Sequence, residues 1–172
     1  EDSTKQFISF VLDDAQQTWA EIFASSNATY TDARLVLFRD RVQSACGYAQ
    51  SATGPFYCPG DSQVYIDLGF YDELRNRFGA PGDFAQAYVL AHEIGHHIQR
   101  LSGTEAEVRR AQQRDPGRAN QYSVALELQA DCFAGVWANS AQARGLLEVG
   151  DVARRPEGRV GDGDAEGHRV GP

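Results

Sequence analysis

The stretch His92-Glu93-Ile94-Gly95-His96 places two histidines four residues apart around a glutamate. In a helix, residues i and i+4 lie one above the other on the same face, so both imidazoles can reach a single metal ion. Glu93 then lies beside them, where a general base can take a proton from a metal-bound water. The stretch therefore predicts a helix with two zinc ligands and the catalytic glutamate of a zinc-dependent hydrolase.

The flanking residues favour one long helix over residues 83–101. A Pro81-Gly82 break precedes it, and the acidic Asp83 suits a helix N-terminus. Apolar residues recur at helical spacing, namely Ala87, Leu90, Ala91, Ile94, Ile98 and Leu101. Gly95 costs about 1 kcal/mol relative to alanine inside a helix, and close approach of another element at the metal is the reason we expect for it.

A catalytic zinc needs a third protein ligand and an open position for water. One known signature supplies a third histidine six residues after the second, with a glycine between them. The chain has Gln99 and Ser102 at those places, so this signature is excluded. A structural zinc site would need a fourth protein ligand, which the sequence does not obviously provide.

An acidic third ligand is available further along the chain. Residues 124–137 form an apolar, helix-favouring run whose only charged residues are Glu127 and Asp131, which share one helical face. Burying two carboxylates is costly unless each has a partner, and a metal with a metal-bound imidazole would supply both partners. We therefore predict that Glu127 ligates zinc and that Asp131 accepts the second N–H of a ligand histidine.

These residues together resemble the gluzincin arrangement, in which the third ligand is a glutamate one helix later. The chain also resembles, more closely, the bacterial neutral zinc metallopeptidase family. That resemblance covers roughly residues 7–151, and the runs that carry it are residues 44–47, 54–59, 64–68, 78–84 and 127–135. It implies a zinc peptidase with one Zn²⁺ per chain that is membrane-tethered or exported and acts on a peptide or protein substrate.

The resemblance stops near Val152. Residues 152–172 are rich in glycine and charge and cannot bury enough apolar surface to offset the entropy of ordering. We expect a zinc metallopeptidase domain at residues 1–151 and a divergent, disordered tail at 152–172, in which His168 is a solvated residue. Because similar chains continue with a further helix, two functions stay open. One is a zinc endopeptidase or related amide hydrolase, and the other is a zinc-bearing but inactive domain that binds peptides or partners.

Composition agrees with one small domain. The 172 residues carry a formal net charge of −8, which argues against nucleic acid or anionic membrane surfaces as partners. The longest apolar stretches fall short of the ~18 residues that a membrane span needs. The chain begins at Glu1 and has no methionine, so we expect a processed fragment whose signal peptide or membrane anchor has been removed.

The three cysteines bear on the cellular compartment. Cys46 and Cys58 flank a segment rich in small residues, and a disulfide between them would contribute about 3 kcal/mol. Such a bridge would indicate an oxidising, extracytoplasmic compartment: secreted, periplasmic, or membrane-anchored and facing outward. The alternative is two unpaired thiols. We expect Cys132 to pack as a small buried hydrophobe.

The remaining elements predict an α+β fold, with a small, partly antiparallel sheet packed on helices. We expect an amphipathic helix over residues 3–25 with a buried stripe at Ile8, Leu12, Ala15, Trp19 and Ile22. Strands are expected at 35–38 and 63–68, with a loop or hairpin between them, followed by a short helix at 70–78. The strand before the active-site helix would lie at the edge of the cleft, available to an extended peptide. A polar linker with a solvated arginine cluster, including Arg109 and Arg110, would separate the two site helices.

Two roles stay open at the site. The donor that stabilises the oxyanion could be Tyr57, Tyr65 or Tyr122. His97 points about 100° away from His96 on the helix, so we expect it to be a residue behind the ligands or on the surface.

Overall fold

The computed structural model describes residues 2–50, 54–78 and 82–147, and the predicted tail at 152–172 lies outside this part of the chain. Helices and strands are segregated along the chain, which is the α+β class that the sequence predicts. The elements are, in order, α1 (Asp2–Ser25), β1 (Arg34–Phe38), β2 (Arg41–Ser44), β3 (Gly47–Gln50), β4 (Phe56–Cys58), β5 (Gln63–Asp67), α2 (Leu68–Phe78), α3 (Gly82–Leu101), α4 (Thr104–Arg114), a 3₁₀ turn (Pro116–Arg118) and α5 (Ala119–Ala143).

The main sheet has three strands in the order β1, β5, β4. Strand β5 pairs in parallel with β1 and antiparallel with β4, while β2 and β3 form a separate antiparallel hairpin. The expectation that the strand before the active-site helix lies at an edge is therefore wrong. That strand is β5, and both of its sides are occupied, because the alternation of side chains predicts a strand but not its neighbours.

Helix α3 forms the centre of the fold and confirms the predicted helix over 83–101. Its residues from Phe84 to Gly95 are all buried, and it packs against α1, α2, α5 and β4. The helix that precedes it, α2, begins at Leu68, which the sequence assigned to the strand. Most buried polar side chains of a helix enclosed in this way have hydrogen-bond partners, so an exception needs an explanation.

Helix α1 covers the core with one face, as its periodicity predicts. Ile8, Leu12, Ala15 and Trp19 are buried, and the Trp19 ring packs edge-on against Phe133 of α5 with centroids 5.2 Å apart. Ile22 was expected in this stripe but is 36% exposed. In the last turn of α1 the neighbouring Phe23 packs against the core instead.

The predicted polar linker between the site helices is wrong, because residues 104–114 form helix α4. This helix has no buried residue, and an ion pair between Glu105 and Arg109, one turn apart, supports it. Its few apolar residues are Ala106, Val108 and Ala111, too few and too small to make a packed helix stand out in the sequence. Arg109 and Arg110 are exposed, as expected, but on a helix.

The structure contains a disulfide between Cys46, in the β2–β3 turn, and Cys58, the last residue of β4. Cys132 is free and exposed, so the expectation of a buried thiol is wrong. It follows Asp131 by one residue and so points about 100° away from the face that packs on α3. Among the described residues, no helix has the length and apolar character needed to cross a membrane.

Candidate metal site

Helices α3 and α5 bring the three predicted ligands together. The Nε2 atoms of His92 and His96 lie 3.1 Å apart. Glu127 of α5 reaches both rings, with Oε2 3.0 Å from His92 Nε2 and Oε1 3.1 Å from His96 Nε2. The ligand atoms of these three side chains all lie within 4.8 Å of one another, which makes them a possible metal site.

The donor set and its spacing fit zinc. Zinc binds imidazole nitrogen and carboxylate oxygen at about 2.0–2.2 Å, so two ligand atoms of a tetrahedral ion lie about 3.3 Å apart. The three closest separations are each slightly shorter than this, and a small outward movement of the side chains would accommodate the ion. Three protein ligands also leave the fourth position open, as a catalytic site requires.

Asp131 holds His92 from the side opposite the ligand atoms. Its Oδ1 accepts a hydrogen bond from His92 Nδ1 at 2.8 Å and another from the Tyr88 hydroxyl at 3.0 Å. Because the carboxylate can only accept from the ring, Nδ1 carries the proton, and the lone pair of neutral His92 is on Nε2. The structure thus places Asp131 where the sequence expects it, and adds Tyr88, which sequence reasoning missed.

Gln99 holds His96 in a similar way and was also missed. Its Oε1 lies 2.9 Å from His96 Nδ1, and its Nε2 donates to the carbonyl oxygen of Leu126 on α5. The signal that the sequence carries for this contact is a glutamine one helical turn after a predicted ligand histidine. That signal is weak, because it does not show that α5 lies alongside.

Glu93 stands between the two ligand histidines in the sequence, and its side chain is fully buried. Neither of its carboxylate oxygens has a hydrogen-bond partner among the described residues. Such a group is uncommon in a folded protein, because an unsatisfied buried carboxylate loses its hydration without compensation. A carboxylate held in this state next to a metal site can accept a proton from water that enters the site.

The acidic residues of the site raise the pKa of both ligand histidines. Burial lowers the pKa of His92, but hydrogen bonds to Asp131 and Glu127 outweigh burial and raise it from 6.5 to about 9. Burial also lowers the pKa of His96, and the hydrogen bond to Glu127 again gives a net rise. The carboxylates of Asp131 and Glu127 therefore favour a positive charge on the His92 ring.

The other candidates lie away from the ligand atoms. His97 was expected behind the ligands or on the surface, and this is wrong: it is buried between the Tyr57 hydroxyl, 2.8 Å from Nδ1, and the Thr31 carbonyl, 2.6 Å from Nε2. Burial lowers the pKa of His97 and raises that of Tyr57, so both are neutral at neutral pH.

The tyrosines proposed as oxyanion donors differ in how far they are engaged. The hydroxyl of Tyr57 is used by His97, and that of Tyr65 donates to Asp61 at 2.6 Å. The ring of Tyr122 lies under the Arg118 guanidinium, at 5.7 Å from its centroid. Neither Tyr57 nor Tyr65 is free to serve an oxyanion in this arrangement, and a role for Tyr122 stays a prediction.

Access to the site is from the side of His96. Its side chain is 15% exposed, whereas that of His92 is 3% exposed. Solvent therefore reaches the cluster past His96, while His92, Glu93 and Asp131 are buried. The three side chains can bind a divalent metal, and Glu93 offers a carboxylate that can take a proton.

Comparison with known proteins identifies the family. The profile of a family described as "Putative neutral zinc metallopeptidase" matches residues 1–166. The chain belongs to this family. The match runs beyond residue 151, the last residue of the predicted domain, into a part of the chain that the structure does not describe.

Relatives of this chain occur in Escherichia coli and Mycobacterium tuberculosis. The chain is 50% identical over 153 residues to the uncharacterized protein YpfJ of Escherichia coli K12, covering 88% of this chain and 53% of that protein. It is 49% identical over 110 residues to the uncharacterized protein Rv2575 of Mycobacterium tuberculosis H37Rv, covering 63% of this chain and 36% of that protein. The chain thus spans about half the length of the E. coli relative. No solved structure matches it.

Proposed function

We propose that this chain is a zinc-dependent endopeptidase in which His92, His96 and Glu127 hold one Zn²⁺ and Glu93 is the general base. The observation that carries the proposal is the combination of a three-ligand cluster with a buried, unpaired carboxylate one residue after the first ligand. A structural zinc site would not need such a carboxylate. The family supports zinc as the metal and a peptide bond as the target.

The residues divide the proposed reaction between them. When bound, zinc with three protein ligands lowers the pKa of a coordinated water to about 7. Glu93 takes a proton from the attacking water and later delivers it to the leaving amine. Asp131 keeps the proton of His92 on Nδ1, so that Nε2 remains a ligand throughout.

The setting proposed for the reaction is extracytoplasmic: secreted, periplasmic, or membrane-anchored and facing outward. The Cys46–Cys58 disulfide supports an oxidising compartment. The substrate is a peptide or protein, and the net charge of −8 argues against nucleic acid.

Zinc content and cleavage test the proposal on the purified chain. We expect one zinc per chain by elemental analysis, and cleavage of casein or a quenched fluorescent peptide library that a zinc chelator abolishes. Glu93→Gln should retain the zinc and lose cleavage by a factor of about 10²–10⁴. His96→Ala should lose both. If the chain binds zinc but shows no Glu93-dependent cleavage, the inactive binding domain is supported instead. If the chain does not bind zinc when zinc is supplied, both hypotheses are overturned.

A further inference from the structure

Gln99 joins the two helices that carry the metal site. It is a polar residue of α3 with only 1% of its surface exposed. Its amide nitrogen donates to the Leu126 carbonyl at 2.7 Å and to Gln129 Oε1 at 3.0 Å, both on α5. Its amide oxygen lies 2.9 Å from His96 Nδ1. Both hydrogens of the amide nitrogen are thus directed to α5, and the amide oxygen is directed to His96 of α3.

The Leu126 carbonyl decides which way the amide faces. A backbone carbonyl can only accept a hydrogen bond, so the group opposite it must be the Gln99 NH₂. The amide oxygen then faces His96, and the atom of His96 that meets it must be a donor. Nδ1 of His96 therefore carries the proton, and in the neutral ring the lone pair is on Nε2, the atom that faces His92 and Glu127.

The same side chain also links His96 to the third ligand. Leu126 immediately precedes Glu127, so the hydrogen bond from Gln99 fixes the α5 backbone beside the ligand carboxylate. A change in this contact would alter both the tautomer of one ligand and the distance between two ligands.

We infer that Gln99 is a positioning residue of the metal site, which sets the His96 tautomer and holds Glu127 at ligand distance. The inference rests on the proposed zinc site. It assigns Gln99 a role for His96 like that of Asp131 for His92, although a neutral amide rather than a carboxylate is used. Groups that orient metal ligands in this way typically contribute 10–100-fold to metal affinity.

Gln99→Met tests the inference, because methionine has a similar size and cannot form these hydrogen bonds. We expect zinc affinity, measured by competition with a chromophoric chelator, to fall 10–100-fold. The matched control is Gln86→Met. Gln86 is also a glutamine of α3 with 1% exposure, and its amide donates to the Tyr71 carbonyl of α2, away from the ligands. The control should lose thermal stability in the metal-free state and keep wild-type zinc affinity.

A second variant and a spectrum separate positioning from packing. Gln99→Glu keeps an acceptor for His96 Nδ1 but loses the donor to Leu126, so its zinc affinity should lie between those of Gln99→Met and the wild type. Nitrogen-15 NMR of the zinc-loaded wild type should show His96 with its proton on Nδ1 and the metal on Nε2.

Two results would overturn the inference while the proposed function stands: wild-type zinc affinity in Gln99→Met, or a metal on Nδ1 of His96. Failure of the wild type itself to bind zinc would overturn the proposed function, and this inference with it.

Discussion

Gly95 of α3 lies against the backbone of Ala130 of α5. A Cβ atom at Gly95 would be 2.8 Å from the Ala130 carbonyl oxygen and 3.0 Å from its Cα. Backbone atoms cannot move aside as the end of a side chain can, so this contact requires a glycine. It lies between the ligand histidines of α3 and beside the turn of α5 that carries Glu127 and Asp131. The close approach expected from the sequence is therefore present at the site.

Gly95→Ala should separate the two helices and weaken the site. We expect a loss of about 1–3 kcal/mol in the free energy of unfolding, measured with urea on the metal-free protein, together with weaker zinc binding. Gly135→Ala is the matched control, because a Cβ there would meet no atom within 4 Å. It should stabilise α5 by up to about 1 kcal/mol. Equal effects of the two substitutions would show that the Gly95 contact does not determine the helix spacing.

Zinc binding should release protons. Because hydrogen bonds to Asp131 and Glu127 raise the pKa of His92 to about 9 against the effect of burial, this ring is protonated at pH 7 in the metal-free protein. Zinc requires the neutral ring, so at least about one proton should leave at pH 7, and zinc affinity should fall as the pH is lowered. Isothermal titration calorimetry in buffers of different ionisation enthalpy measures the release. Heats that do not depend on the buffer would contradict it.

Asp14 should stabilise the fold by joining α1 to the end of α5. Its carboxylate accepts hydrogen bonds from Trp137 at 2.9 Å and from both terminal nitrogens of Arg144 at 2.6 and 2.8 Å. Asp14→Asn should cost about 1 kcal/mol at pH 7, a modest value because Arg144 is partly exposed and solvent screens the pair.

The effect of Asp14 should depend on pH with a definite sign. The hydrogen bond from Arg144 holds the pKa of Asp14 below its usual 3.8 in the folded state, despite partial burial. The stabilisation is therefore present above about pH 4 and is lost as the pH falls through the lower, folded-state pKa. Urea unfolding should show a smaller difference in the free energy of unfolding between wild type and Asp14→Asn at pH 3 than at pH 7. Asp13→Asn, at an exposed neighbouring position, should be nearly neutral at both.

The disulfide should stabilise the folded state by lowering the conformational entropy of the unfolded chain. Its cysteines are 12 residues apart in sequence, and closing a loop of that length is worth about 3 kcal/mol. Replacing Cys46 and Cys58 with serine should lower the free energy of unfolding by about this amount. Cys132→Ser is the control and should change it little, because that thiol is free and exposed. A large effect of Cys132→Ser would show that this thiol has a structural role.

Local spacing in the sequence predicts much of the site and less of its surroundings. The interval between His92 and His96 indicates that both side chains lie on one helical face. Glu127 and Asp131 are the charged residues of an otherwise uncharged helix, which indicates that they belong to the site. Gln99 and Tyr88 could not be assigned in this way, because their roles depend on which part of α5 lies opposite them.

The same limit explains the errors in the fold. The alternation in β5 predicts a strand but not its central position in the sheet. Helix α4 has only three small apolar residues, too few to indicate that it packs on its neighbours. The apolar character of α5 suggested that Cys132 is buried, whereas only one face of that helix contacts the core. Sequence periodicity therefore predicts elements well, and contacts between distant elements poorly.

The unpaired carboxylate of Glu93 works against folding. Buried without a hydrogen bond from any described residue, it costs free energy that a neutral side chain of similar size would not. Glu93→Met should therefore raise the melting temperature of the metal-free protein and, if the proposed function is right, abolish cleavage. Selection for thermal stability alone would remove this glutamate, so under the proposed function its presence is a trade of stability for chemistry.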